Sequence, residues 1–128
     1  MTTITEDYVS FETAKLLKEK GFNDELCHMW YNIRKDVGYY LSSVGVKNHL
    51  PAPTHQMAMK WLREVHKIFI AINIISHTTV TMEQKYYFFK LFKNRKPYNF
   101  PLDYSVKYYP SYEESVEAAL KYSLKNLI

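Results

Sequence analysis

The stretch Pro53–Ser76, PTHQMAMKWLREVHKIFIAINIIS, decides how the chain is read, because it changes period in the middle. Up to His66 the apolar residues Met57, Ala58, Trp61, Leu62 and Val65 recur at helical spacing. From Ile68 onward the isoleucines at 68, 70, 72 and 74 alternate with Phe69, Ala71, Asn73 and Ile75. A spacing of three and four marks one face of a helix, and strict alternation marks a strand. Pro53 disfavours helix in the residue before it and Thr54 can cap, so a helix is predicted over about 55–66, followed at once by a strand whose isoleucine face is core.

The histidines in this stretch invite a metal or catalytic reading. His55 and His66 are eleven residues apart, which separates them by roughly 16 Å along a helix rising about 1.5 Å per residue. They cannot share an ion. Glu64 and His66 are two apart and diverge around the axis, whereas paired helical ligands need a spacing of three or four. No metal site and no cofactor is expected from this stretch.

The periodicity extends outward in both directions. Upstream, Ser10 is a good N-cap for SFETAKLLKEKGF, with Leu16 and Leu17 inside and Gly21 placed just past the end, so a first helix is predicted over about 11–20. CHMWYNI and GYYLSS flank the polar RKDVG and suit a hairpin; VGVKNHLPAP reads as a loop. Downstream, KYYFFKLFK alternates Tyr87, Phe89 and Leu91 with Tyr86, Phe88, Lys90 and Phe92. It is predicted to pair antiparallel with the isoleucine strand through a loop near SHTTVTMEQ. NRKPYNFP is a proline-bearing loop, and YSVKYY alternates as a further, peripheral strand. The closing SYEESVEAALKYSLKNLI opens on a capping box, Ser111 with Glu114, and carries acids early and lysines late. The expected fold is α+β: three helices on a mainly antiparallel sheet of about five strands, in the order α-β-β-α-β-β-β-α, as a single domain over residues 1–128.

Composition limits what such a fold does. Hydrophobic residues make up 47% of the 128 and glycines number three, which is a folding composition with room for one core. The longest apolar run, around IFIAINII, falls far short of the roughly 20 residues that cross a bilayer. MTTITEDYVS lacks the features of a secretion signal, and Cys27, the single cysteine, can form no internal disulfide. A cytoplasmic protein with no membrane partner is expected.

Tests for chemistry return little. Gly21, Gly38 and Gly45 are scattered and form no phosphate loop. Cys27 and His28 are neighbours that would point to opposite faces of a strand, so the imidazole would not address the thiol. Glu113, Glu114 and Glu117 are explained by the positive end of a helix, as a solvated face. His49 and His77 fall in predicted loops. No catalytic residue is assigned, and a non-enzymatic protein is expected.

The net charge of +4 is unevenly spread. Residues 85–110 hold Lys85, Lys90, Lys93, Arg95, Lys96 and Lys107 against Asp103 alone, amid a crowd of tyrosines and phenylalanines. An interaction face is therefore predicted at Tyr86, Phe88, Lys90, Phe92, Lys93, Arg95 and Lys96. Its aromatics favour protein association, including self-association as a homodimer, since an exposed apolar sheet face marks a protein interface. Weak, sequence-independent binding of single-stranded nucleic acid is the alternative, because lysines beside stacking rings suit it as well.

Three segments, SFETAKLLKEKGFN, APTHQMAMKWLREVHKI and SYEESVEAALKYSLKNLI, together resemble a family of small uncharacterised proteins found in gut bacteria and in their phages and prophages. The resemblance covers about a third of the chain. It implies phage-related or mobile-element origin; the family has no assigned activity, and no site residue comes with it.

Overall fold

A computed structural model describes residues 4–22, 29–31, 37–39, 50–78 and 83–128. The elements in order are α1 (Phe11–Glu19), β1 (Met29–Tyr31), β2 (Val37–Tyr39), β3 (Leu50–Pro51), α2 (His55–His66), β4 (Ile68–Thr78), β5 (Glu83–Lys93), β6 (Lys96–Pro97) and α3 (Tyr112–Asn126). Among the described residues the α+β class and three helices stand, but the strands form two separate three-stranded antiparallel sheets, β2-β1-β3 and β4-β5-β6, in place of one sheet of about five.

The helix boundaries follow local chemistry. Ser10, Thr54 and Ser111 each accept a hydrogen bond from the backbone N–H three residues on, as expected of side chains that satisfy a helix's unpaired first-turn donors. Gly21 ends α1 with φ +94, a conformation that costs glycine nothing. In α2 the buried residues are His55, Ala58, Met59, Trp61 and Leu62, whereas Met57 is exposed and Val65 is 57% exposed. The core stripe is rotated from the expected one: His55 and Met59 join it, and Met57 and Val65 leave it. Trp61 is buried against Phe22 and the His66 ring.

The β4–β5 ribbon is the largest strand pairing. Its register sets Ile68, Ile70, Ile72 and Ile74 beside Lys93, Leu91, Phe89 and Tyr87 on the face toward the helices. Phe69, Ala71, Asn73 and Ile75 lie beside Phe92, Phe88, Lys90 and Tyr86 on the opposite face, Ala71 opposing Lys90 and Asn73 opposing Phe88. Along the inner face burial decays: Ile68, Leu91 and Phe89 join the core with Leu62, Val116, Leu120 and Leu124, Ile70 and Ile72 are half-buried, and Ile74 is exposed. The expected isoleucine core is thus real at the start of β4, and the ribbon then runs beyond it. His77, expected in a loop, lies within β4.

YSVKYY does not form a strand. Within 104–109 Tyr109 alone makes an isolated bridge, to Tyr87. The segment is held by rings instead: Phe100 stacks on Tyr104 at 4.3 Å, and both, with Tyr98, pack against Tyr122 of α3. Pro97, Pro101 and Pro110, which lack backbone donors, flank and interrupt any ladder there.

The helices run in one direction. Glu12 meets Lys121, Ser10 and Thr13 meet Glu117, and Lys20 reaches the Ile128 carbonyl, an order that increases along both α1 and α3. His55 at the start of α2 joins the same end as Ser10. No helix among the described residues is long and apolar enough to cross a membrane. Cys27, His28 and His49 lie outside the described residues; of the turn expected at RKDVG, residues 34–36 lie outside them too, and Val37 and Gly38 belong to β2.

Candidate functional site: a sheet face and a polar cleft

The expected interaction face is divided by the ribbon. Tyr86, Phe88, Lys90 and Phe92 share the outer face of β5, with Phe69 and Ile75 of β4 beside them. Phe69 is 54% exposed and Ile75 is exposed, while Tyr86, Phe88 and Phe92 are half-buried. Phe88 meets the exposed Tyr108 edge-on, and the Arg63 guanidinium lies 5.8 Å from the Phe69 ring centre. The buried residues of the helices join the core through the inner face of the ribbon.

The cations part company. Lys90 stands on the outer face, but Lys93 opposes Ile68 on the inner side and donates its Nζ to the Leu127 carbonyl at 2.6 Å. Arg95 and Lys96 lie at the β5–β6 turn, where Asn94 and Arg95 adopt positive φ. Lys107 belongs to the ring-packed 104–109 segment.

A second assembly escaped the sequence reading. Glu117, expected on a solvated helix face, is the hub of a polar cluster tying all three helices. Its Oε1 accepts from the Ser10 backbone N–H at 2.5 Å and faces His55 Nε2 at 3.1 Å; its Oε2 accepts from Thr13 Oγ1 at 2.6 Å and lies 3.0 Å from Ser10 Oγ. An ionised carboxylate can only accept, so His55 Nε2 must carry a hydrogen. Burial raises the Glu117 pKa, but the hydrogen bonds from His55, Thr13 and Ser10 outweigh it and hold the carboxyl below its ordinary value.

The geometry completes a cap. In a capping box the N-cap residue's own N–H is received by a carboxylate three residues later in the same helix. At that position α1 has Thr13, and the carboxylate is supplied by α3 instead. The N-terminal segment is laid in place by Val9 N–H to the Pro53 carbonyl and His55 N–H to the Asp7 carbonyl. Tyr31 secures the same segment through its hydroxyl, which donates to the Val9 carbonyl; burial, then the Glu117 charge, push that phenol's pKa up.

With its acceptor positions taken, Glu117 has no lone pair directed at a substrate, and His55 faces Glu117 rather than Ser10. The hydrogen-bond pattern is that of a clasp between helices, unlike the serine–histidine contact of an activated nucleophile. The clasp forms the floor of an open cleft of about 540 Å³ whose rim includes Asp7, Tyr8, Tyr109, Glu113, Glu114 and Lys121. Among the described residues no group of three or more His, Cys, Asp or Glu side chains is placed to hold a metal ion.

At the far end of α2, His66 Nε2 is buried without a hydrogen-bond partner among the described residues. Burial, then the Lys93 and Lys20 charges, lower its pKa, which favours the neutral ring packed on Trp61. Comparison with family models, curated proteins and solved structures found no match.

Proposed function

We propose that this chain is a non-enzymatic accessory protein that works by protein association, as a homodimer joined through the outer face of the β4–β5 ribbon. One observation carries the reading: Phe69 and Ile75 are exposed and lie with Tyr86, Phe88 and Phe92 on one aromatic and aliphatic surface, touched at its margins by Arg63 and Tyr108, while the buried helix residues join the core through the other face. A second copy is the occupant that suits it. Lys90 stands on the face and Arg63 lies near the Phe69 ring, and the ribbon residues on this side include no carboxylate. Two like faces can stack at about 10 Å in aligned sheet packing, the same patch being used by both copies across a twofold axis. An origin in phages or other mobile elements belongs to the same proposal and is supported by the likeness of three segments.

The second reading, weak binding of single-stranded nucleic acid, draws on Lys90 standing between Phe88 and Phe92. The dispersal of Lys93, Arg95, Lys96 and Lys107 favours dimerisation. Sedimentation at low and high salt decides: apolar burial predicts a dimer that persists when charges are screened. Phe69→Asp should then give a folded monomer. A monomer at all concentrations, binding an oligonucleotide with a logarithmic salt slope of about −0.7 per neutralised phosphate, would transfer the assignment to the second reading.

A further inference from the structure

A smaller cavity of about 200 Å³ opens on the side of α3 and has a character opposite to that of the cleft. Lys121 and Lys125, four residues apart and so on one helical face, meet Lys107 from the facing 104–109 segment. Tyr104, Tyr109 and Asn126 add hydroxyl and amide groups, and no carboxylate lines the space. Lys125 in the last turn is accounted for by the helix dipole. Lys121 in mid-helix reaches Glu12 on one side and Lys107 lies off any helix, so it is the gathering of both with Lys125 about one cavity that calls for a ligand.

We propose that this cavity binds the phosphate of a small phosphomonoester, whose body lies in the adjoining cleft. Three ammonium groups and two phenol donors match the charge and acceptor number of a phosphate. Burial raises the pKa of both Tyr104 and Tyr109, with the neighbouring phenol adding to the first, so both hydroxyls keep the hydrogen they would donate. Lys121 is held on one side by Glu12 Oε2 at 3.3 Å, an exposed contact that leaves its other hydrogens for the ligand. The two cavities share Tyr109, Ala118 and Lys121 and so adjoin, and the proposed ligand spans both. In the larger one, Tyr8 and Tyr109 offer flat surfaces, and Asp7, Glu113 and Glu114 offer acceptors to hydroxyl or amino groups. The ligand class is a phosphate ester with a donor-rich, ring-bearing body, of which a nucleoside monophosphate is the simplest probe.

Calorimetric titration of the full chain at low salt with inorganic phosphate, adenosine and adenosine monophosphate tests this. The expected result is saturable binding of phosphate and binding of the monophosphate about tenfold tighter or better, each part adding to the other. Lys107→Ala with Lys125→Ala should weaken both by about tenfold or more, whereas Lys15→Ala with Lys18→Ala, an equal charge loss at exposed positions of α1, should change neither. Glu114→Gln should weaken the monophosphate alone. Absence of saturable phosphate binding, or binding unaltered in the double lysine variant while its melting temperature is kept, overturns the site. Equal affinity for phosphate and for the monophosphate overturns the shared occupancy of the two cavities.

Discussion

The two faces of the β4–β5 ribbon are built from the same residue types and meet different fates. On the inner face Phe89 is 6% exposed, with Phe100, Tyr109 and Tyr122 around it; on the outer face Phe69, in the same ribbon, is 54% exposed. Alternation tells that a strand has two faces and cannot tell which of two apolar faces the helices will take. The choice is made by α3 and α2, whose buried stripes of Val116, Leu120 and Leu124 and of Ala58 and Leu62 join the same cluster as Ile68 and Leu91.

The sharpest way to break this comparison is to truncate both phenylalanines. Phe89→Ala should cost about 3 to 5 kcal/mol, the range for deleting a core aromatic. Phe69→Ala should leave monomer stability within about 0.5 kcal/mol, as an exposed position does. Equal losses in chemical denaturation would mean the outer face is covered too. Trp61→Ala belongs with Phe89→Ala and should fall in the same range of about 3 to 5 kcal/mol.

The clasp that helps hold the helices over the inner face comes next in size. Glu117→Ala strands Ser10 N–H, Thr13 Oγ1 and His55 Nε2 and should cost roughly 3 kcal/mol. Its pH dependence has a definite sign. Because the folded carboxyl titrates below its ordinary value, its contribution is complete above the ordinary glutamate range and is lost as pH falls through the folded pKa. Glu117→Gln should therefore flatten the acid limb of stability against pH; an unchanged limb would remove Glu117 from the account.

The smallest effect sits at the ribbon's proximal end. Lys93→Ala gives up one hydrogen bond to the Leu127 carbonyl and should cost about 1 kcal/mol. The same change removes a charge that lowers the His66 pKa, so the imidazole should titrate higher by NMR, while burial keeps it from returning fully to its ordinary value. No upward movement would separate Lys93 from His66.

What was legible in the sequence was local. Ser10, Thr54, Ser111 and Gly21 act within a turn of their own positions, and the α2 and α3 boundaries followed from them. Alternation located β4 and β5. The clasp was illegible because its ties are distant in sequence and because Glu117 lies where helix electrostatics already accounts for an acid. His55 and His66 misled the reading of α2, since each lies on the buried side, one under a carboxylate and one against an indole. The 104–109 segment alternates as a strand does, yet the rings of Phe100, Tyr104 and Tyr122 determine its path.

The sequence separations within the clasp have a kinetic meaning. Glu117 is bonded to Ser10 across 107 residues and to His55 across 62. Closing loops of that size is entropically costly and is repaid only after the intervening chain has folded, so these bonds belong on the native side of the barrier. Glu117→Ala should accordingly hasten unfolding while leaving the refolding rate nearly unchanged; a slowed refolding arm in stopped-flow denaturant jumps would place the clasp in the nucleus instead. Glu117 then acts as a latch on residence time in the folded state, set by how fast three helix starts can part.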